Sequence, residues 1–596
     1  MWSSSSDRSL FSTSLASHIV STMPSSSSQS ILDSVQSLKG LSESEIQAFW
    51  SCKIEGESRV PHITEGDVKP GKLVRFRGMI QDSLETELYP EDYRYQDSYD
   101  GQEDFEENPV LKERWIYYIV SIPGETNWVQ QSSKTILDSI PSSSTQNQRF
   151  KRPLDSDEDT LNDVPMESKP ITTTENKKAK LTHVATEPSS WGLNFPIPSQ
   201  PGASSVIAKI YGDASPDLVL NEPIDLFGII AMSEEEDIQS SDENIQVRVP
   251  PPSIVPRIHV LLYKKLTHIN PLLPLSLKYP TCELDMGGVR EEVVSVFSNL
   301  LFGDRLSAEY LICHLASRVY GRNDVHSLGK YSLNLINVPL HGDYVSRFAS
   351  VLSNILSCCH YLPLTIQNLN SFTFIPRKDY NANRLISGIL QLCAGTHLIL
   401  DETQLDSGKL TSDGLKNLTA LGNLITWQKV EYNFSYYQME FSADVPCLIL
   451  SEGRSMLPSD VLIPLKPNHS TSYSVIDEKF KNIQDNIFAD EKILNKFRKF
   501  LTITQNCPYD ITDEVQKSIQ DDFVVERKNN PNYSAEDLSN RLLLARFVSL
   551  TYGNTTLTPE VWNRVKAMEF ERQERTSALP SRQASAIGQS GIPAKL

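Results

Sequence analysis

The stretch "HLILDETQLDSGKL", His397 to Leu410, is a short apolar run that stops abruptly at Asp401-Glu402. A run of Leu and Ile of this length reads as a buried strand. In a nucleotide-hydrolysing core such a strand delivers an Asp to Mg²⁺ and a Glu that polarises water. The same pattern arises wherever a chain leaves a core and meets water, because ionised side chains stay where they can be solvated. The acidic pair therefore raises the question of an ATPase without answering it.

Around this strand, from Pro274 onward, helical and strand patterns alternate, which predicts an α/β core. "AEYLICHLASRVYG" reads as a helix, "KYSLNLINV" as a strand, and "YVSRFASVLSNILSCC" and "NRLISGILQL" as helices. After the acidic pair come a helix, "DGLKNLTALGNLITW", a hairpin, "VEYNFSYYQMEF", and a buried strand, "VPCLILSEG". From Glu491 the chain reads as helical. Ser534 and Asp537 make a capping-box-like start, Leu538, Leu542, Ala545, Ser549 and Tyr552 share one helical face, and Gly553 stops the helix. Thr558 and Pro559 open the next one.

Upstream the patterning is β. "GKLVRFRGMIQD" alternates as a half-buried strand, with Gly78 where a small barrel strand coils, and "ERWIYYIVSIPGETNWV" supplies another. "SSVIAKIYG", "PIDLFGIIAM" and "PRIHVLLYKKL" follow after a long interruption rich in Ser, Thr, Asp and Lys, a composition that predicts a disordered linker. Two β-rich pieces flanking a linker predict one small barrel interrupted by a loop, OB-like first and a split sandwich second. Only Arg75, Phe76 and Arg77 interleave charge and aromatics as single-strand binding faces do. The linker carries two basic clusters, at Lys151 and Arg152 and at Lys177, Lys178 and Lys180, which are candidates for nuclear import through an importin.

At 596 residues the chain has room for about two to four domains. Its net charge of −19 argues against direct DNA binding, which rests on clustered Lys and Arg releasing counterions, and points to protein partners. The eight cysteines show neither CxxC pairs nor zinc-ligand spacing and read as reduced core thiols, so no metal site is expected. Neither a long apolar span nor a secretory leader pattern is evident, which places the expected site of action in the cytosol or nucleus and away from membranes.

A working ATPase also needs a Gly-rich cradle with a Lys and a Ser or Thr. No G-x-x-x-x-G-K-[ST] occurs. The nearest candidate is "LLFGDRLSAEYL", in which Gly303 would open the loop, Ala308 would close it, Glu309 would hold the Lys position and Tyr310 the metal-ligand position. A carboxylate there would repel a triphosphate, so the loop cannot work as written.

"GDRLSAEYL" resembles a decayed copy of the "GDPGTAKSQ" loop of MCM replicative helicase subunits, keeping Gly303, Asp304 and Ala308. "LILDE" is similar to their metal strand, with Asp401 and Glu402 in the acidic positions. "CLILSEGRSMLPSDVLIPL" resembles their sensor strand and its sequel, with Ser459 where a trans-acting arginine belongs. "LLLARFVSLTYGNTTLTPEVWNRVKAME" resembles the helicase lid, Arg546 falling at its second sensor arginine. Together with "PRIHVLLYKKLTHINPLLP", "KDYNANRLISGILQL" and "LITWQKVEYNFSYYQMEF", these motifs identify the chain as similar to the MCM (minichromosome maintenance) complex-binding protein family over most of residues 60 to 575. The resemblance implies a nuclear, catalytically inert relative of the helicase subunits, without cofactor. Such a protein binds MCM subunits, handles their assembly or unloading from chromatin in DNA replication, and has a role in sister-chromatid cohesion. The alternatives are a DNA-binding replication factor acting through the barrel, or a weak ATPase.

The expected architecture is α/β plus β. It comprises a Ser-rich segment (1–60), the first half of a split OB-like β domain (61–130), a linker (131–192) and the second half (193–274). A degenerate AAA+/MCM-like α/β core (275–490), a helical lid (491–575) and a tail (576–596) follow.

Overall fold

The computed structural model describes residues 7–9, 60–64, 70–90, 111–135, 193–231 and 250–579, apart from short gaps at 198–199, 213–214, 251–253, 278–283, 324–325, 341, 382, 468–472 and 532. The basic clusters at 151–152 and 177–180 lie outside the described residues.

Five strands close a barrel: β1 (Leu73–Ser83), β2 (Leu111–Val120), β3 (Ser205–Tyr211), β4 (Pro223–Ile230) and β5 (Arg257–Lys265), in the order β1-β2-β3-β5-β4 and back to β1. All neighbours are antiparallel except β3 and β5. Strands on both sides of the long interruption pair directly, Ile119 opposite Val206. Gly78 is required by a close approach, since a Cβ there would lie 2.5 Å from the Val120 carbonyl oxygen.

β1 is not the half-buried strand its alternation predicts. From Phe76 to Asp82 every residue is buried, because the barrel's outer face packs against the α/β core. There Met79, Val120 and Ile122 meet Trp128, Ile269, Cys358 and Cys393. The strand read as "ERWIYYIVSIPGETNWV" also ends early, at Val120. The Pro123-Gly124 turn, with Gly124 at φ 74°, breaks it, and Asn127–Thr135 is helical.

The second unit is a parallel sheet of β6 (Leu333–Ile336), β7 (Cys359–Pro363), β8 (His397–Asp401), β9 (Cys447–Leu450) and β10 (Val461–Pro464), ordered β7-β8-β9-β6-β10. The opening stretch is thus a central strand, with Ile399 beside Tyr361 and Leu448. Parallel sheets are covered on both faces, which is why such strands read as continuous apolar runs. On one face Ile399, Leu448 and Leu450 join a core with α1 (Met286–Leu300), α2 (Arg305–Leu315) and α3 (Tyr344–Ile355). The same core takes in α5 (Glu491–Asn506), α7 (Ala535–Thr551) and α8 (Pro559–Ser577). On the other face Leu398, Leu400 and Ile449 pack on Leu421, Leu424 and Ile425 of α4 (Ser412–Trp427).

The C-terminal helices, which include α6 (Asp513–Asn529), share this apolar core with the sheet. The Ser534 capping box forms, Gly553 adopts φ 78°, and Thr558 caps α8 with Pro559 in its first turn. α7 departs from the one-face stripe, because the residues from Leu544 to Thr551 are buried all round except Arg546. "NRLISGILQL" is not a helix but a short strand, Arg384–Ile386, and an irregular buried run. Tertiary contacts override its propensity: the Leu385 N–H donates to Asp82 Oδ2 (2.7 Å), and a Cβ on Gly388 would lie 2.3 Å from the Phe374 carbonyl oxygen. Among the described residues Cys313, Cys358, Cys359, Cys393, Cys447 and Cys507 are free thiols, and no helix is long and apolar enough to cross a membrane.

Candidate functional site

In an open parallel sheet, ligands bind beyond the carboxyl ends of the strands where the strand order reverses, here between β6 and β9. The residues at that edge decide whether it can hold a nucleotide.

Asp401 ends β8 fully buried. The Tyr361 hydroxyl donates to its Oδ2 (2.6 Å), and the Thr403 N–H and hydroxyl donate to its Oδ1 (2.9 and 2.5 Å). Both oxygens are therefore engaged in capping the turn Glu402–Gln404 and holding β7. Glu402 is engaged as well. It accepts from the Ser455 hydroxyl (2.6 Å), and burial pushes its carboxyl pKa up, partly offset by Ser455 and the N–H groups of Met456 and Leu457. It ties the β9–β10 loop to the sheet.

The loop that follows β6 and enters α3 is Asn337–Asp343, "NVPLHGD". This position takes a phosphate cradle when the loop supplies free N–H groups and a Lys. Here the Asn337 and Val338 N–H groups donate to the Glu452 and Ser451 carbonyls (both 3.1 Å). The first turn of α3, Tyr344 to Arg347, contains no Lys, and Asp343 puts a carboxylate where an anion would sit. Arg347 is paired with Asp477 and lies 4.5 Å from the Phe480 ring centroid.

The segment read as a phosphate loop lies elsewhere. Gly303 to Tyr310 has no strand in front of it: it joins α1 to α2, with Gly303 at φ 84° and Asp304 as N-cap. It is the seat of the C-terminal helix. Asp304 accepts from Arg575 of α8 (2.6 Å), and Glu309 accepts from Arg564 (2.5 Å). The Tyr310 hydroxyl donates to Glu569 (2.5 Å), which Arg572 holds through both carboxylate oxygens. Glu309 also meets Arg305 (3.1 Å) and the fully buried Arg290 (3.5 Å), and Ala308 is buried beneath.

The remaining residues are not gathered at the edge. Ser459 lies half-buried in the β9–β10 loop before Asp460, which accepts from Ser332. Arg546 stacks between Tyr320, whose ring centroid is 4.0 Å away, and Tyr509 at 5.1 Å. Tyr320 belongs to the hairpin that feeds the amino end of β6, so Arg546 faces away from the Asp401 edge. The loop Asn337–Asp343 carries a signal of its own in the sequence: a second Gly-Asp, Gly342-Asp343, at the end of a loop that leads from a strand into a helix. Among the described residues no group of three or more His, Cys, Asp or Glu side chains could hold a metal ion.

Fold and edge together define an α/β protein with a fused closed barrel whose acidic strand end is committed to holding its own loops. A family model described as the mini-chromosome maintenance replisome factor matches residues 55–576. The chain is 37% identical over 569 residues to the mini-chromosome maintenance complex-binding protein of Danio rerio, spanning 85% of this chain and 89% of that one. The Homo sapiens protein of that name is 35% identical over 580 residues (85% and 89%), and the Drosophila melanogaster one 33% over 564 (87% and 92%). The chain belongs to the mini-chromosome maintenance complex-binding protein family. These relatives are named as binding proteins rather than as enzymes.

Proposed function

We propose that the chain is a non-catalytic binding protein for MCM helicase subunits that regulates their assembly or their unloading from chromatin during DNA replication, with a role in sister-chromatid cohesion. The observation that carries the non-catalytic part is Asp401, whose two oxygens are taken up by Tyr361 and Thr403. The parallel sheet and the helices after Glu491 are read as a degenerate AAA+/MCM-like core with its lid, and the closed barrel as OB-like. The support is strand order: β6 lies between β9 and β10, and the barrel has one parallel pair, β3–β5. A relative that keeps the helicase fold could occupy a neighbour's place beside an MCM subunit without closing a hydrolysing ring. Action in the nucleus, with import through the two linker clusters, completes the reading.

DNA binding through the barrel is the weaker reading. Arg75 is held by Asp225 (2.7 and 2.6 Å), Phe76 is fully buried, and Arg77 is spent on the Ile269 carbonyl and Glu125 (3.4 Å). The test is a pull-down of the purified full chain with separate MCM subunits, with and without ATP. Capture of at least one subunit irrespective of ATP is expected; capture of none, or capture only under hydrolysis, would overturn the proposal.

A further inference from the structure

The two strands Lys429–Asn433 and Gln438–Ser442 form a hairpin on a small sheet ordered Arg384–Ile386, Arg377–Asp379, Lys429–Asn433, Gln438–Ser442. Its base is fixed. Val430 and Tyr432 are buried in the core beside α4, and the Tyr432 hydroxyl hydrogen-bonds with the Asn221 side-chain amide of the barrel (2.7 Å). Its far end is the reverse: Tyr436 is 86% exposed, Tyr437 54%, Tyr380 49% and Met439 45%.

These side chains are nevertheless ordered by one another. Phe434 and Tyr437 stack with centroids 5.0 Å apart and planes at 8°, and Tyr380 meets Tyr436 edge-on at 5.5 Å. The Tyr380 hydroxyl donates to the Phe434 carbonyl (2.8 Å), the Phe434 N–H donates to the Tyr437 carbonyl (3.0 Å), and the Asn433 side chain accepts from the Ser435 N–H (2.8 Å). Several rings held in place in water form an apolar surface with no partner within the described chain, the feature that marks an interaction site on a soluble protein. Tyr side chains already fixed by the fold lose little freedom on binding, which makes such a cluster an anchor.

Charge selects the partner. Bases also stack on tyrosines, but a strand needs cations along the rings for its phosphates. Here Lys429 is paired with Glu440 (2.6 Å), Lys378 donates to the Asn383 carbonyl (3.2 Å), and Arg377 and Arg384, at the sheet's other strands, are interspersed with Asp379, Glu431 and Glu440, so no run of cations lines the rings. A second copy is disfavoured as well, since each chain carries a net charge of −19 and two would repel. What fits is a different protein with an apolar pocket.

We propose that the ring cluster of Tyr380, Tyr436 and Tyr437, with Met439, is the anchor by which this chain grips an MCM helicase subunit, the rings entering an apolar pocket on that subunit. The inference rests on the MCM-binding reading above and assigns the residues that perform it.

The test uses the full chain and measures affinity for each purified MCM subunit by interferometry. The double variant Y436A/Y437A, whose fold is checked by circular dichroism, should bind at least about 30-fold more weakly, the loss expected for a truncated interface anchor. Y436F should retain binding, because the ring rather than the hydroxyl makes the contact. L88A, which removes an equally exposed leucine from the barrel side, should bind like the parent chain. Binding by Y436A/Y437A within about twofold of the parent would overturn the proposal while leaving the MCM-binding reading intact. No binding by the parent chain to any subunit would overturn that reading too. Parent-chain binding to a single-stranded oligonucleotide, or self-association seen by ultracentrifugation, would overturn the protein-anchor assignment if either is lost in Y436A/Y437A.

Discussion

Replacing Glu309 with alanine should loosen the junction of α1, α2 and α8. Glu309 is 5% exposed and receives three guanidinium groups, from Arg564 (2.5 Å), Arg305 (3.1 Å) and Arg290 (3.5 Å). The three do not count equally. Arg305 and Arg564 are 53% and 37% exposed, so solvent screens them and each contributes at most about 1 kcal/mol. Arg290 is 1% exposed and would keep only Glu291 (2.8 Å), the Thr551 hydroxyl and the face of the Tyr552 ring. Removing one partner of a buried pair costs about 3–5 kcal/mol when the other charge is left uncompensated; because Arg290 keeps Glu291, the loss here is about 1–3 kcal/mol. Of the three cations only Arg564 sits on α8, whereas Arg290 and Arg305 sit on α1 and α2, so the loss is shared by the junction of these helices; at tenfold per about 1.36 kcal/mol it gives a rise in amide exchange across the junction, α8 included, of about one to two orders of magnitude. Hydrogen-exchange mass spectrometry of residues 559–577 reads this directly, and the fluorescence of Trp562, buried on α8 with its N–H on Asp522 (2.7 Å), is a second probe. Glu309→Lys should be worse still, placing a fourth cation among three, and should not create nucleotide binding. If Glu309→Ala leaves exchange of this junction within about twofold of the parent chain, the ion network does not hold it. If Glu309→Lys binds MgATP, the segment is a phosphate loop after all.

Calorimetry with MgATP at near-millimolar concentration should show no saturable heat, given the engaged oxygens of Asp401 and the carboxylate of Asp343 at the helix start; a dissociation constant in the low micromolar range would revive the enzyme reading. Acid should destabilise the α/β core through His314 and His397, whose rings meet edge-on at 5.7 Å and whose pKa values burial lowers to about 4 and about 3. Because both values fall below the unfolded one, about 6.5, the unfolded chain takes up protons that the folded chain refuses, so stability is full above pH 6.5 and falls as pH drops toward 4. Each histidine contributes a slope of up to about 1.4 kcal/mol per pH unit; a urea midpoint that stays flat from pH 6.5 to 4.5, or an unchanged slope after both are replaced by Asn, would contradict this. Neutralising Lys151, Arg152, Lys177, Lys178 and Lys180 together should move a tagged chain to the cytoplasm with folding unchanged, and an undiminished nuclear signal would refute the import assignment.

Sequence alone was sufficient where local chemistry and burial point the same way. A run such as Leu398-Ile399-Leu400 has no exposed face to alternate with, so it reads as a buried strand and is one. The Ser534 capping box, the Gly553 stop and the Thr558-Pro559 start are closed by atoms a few residues apart, which makes them legible without the fold. The lack of a lysine-bearing phosphate loop is also plain in the sequence, but which Gly-Asp lies between a strand and a helix is not: Gly303-Asp304 links two helices, and Gly342-Asp343 precedes α3. Tertiary structure decided what distant partners control. Arg384 to Leu392 has helical composition, yet Asp82 and Gln81 on the barrel take its polar groups and keep it out of a helix. Glu309 and Tyr310 look like lost catalytic positions until α8, more than 250 residues later, supplies Arg564 and Glu569. Arg546 looks like a sensor until Tyr320 and Tyr509 close on it. A charged side chain's role is set by the group that neutralises it, and across a chain of 596 residues that group is named only by the packing.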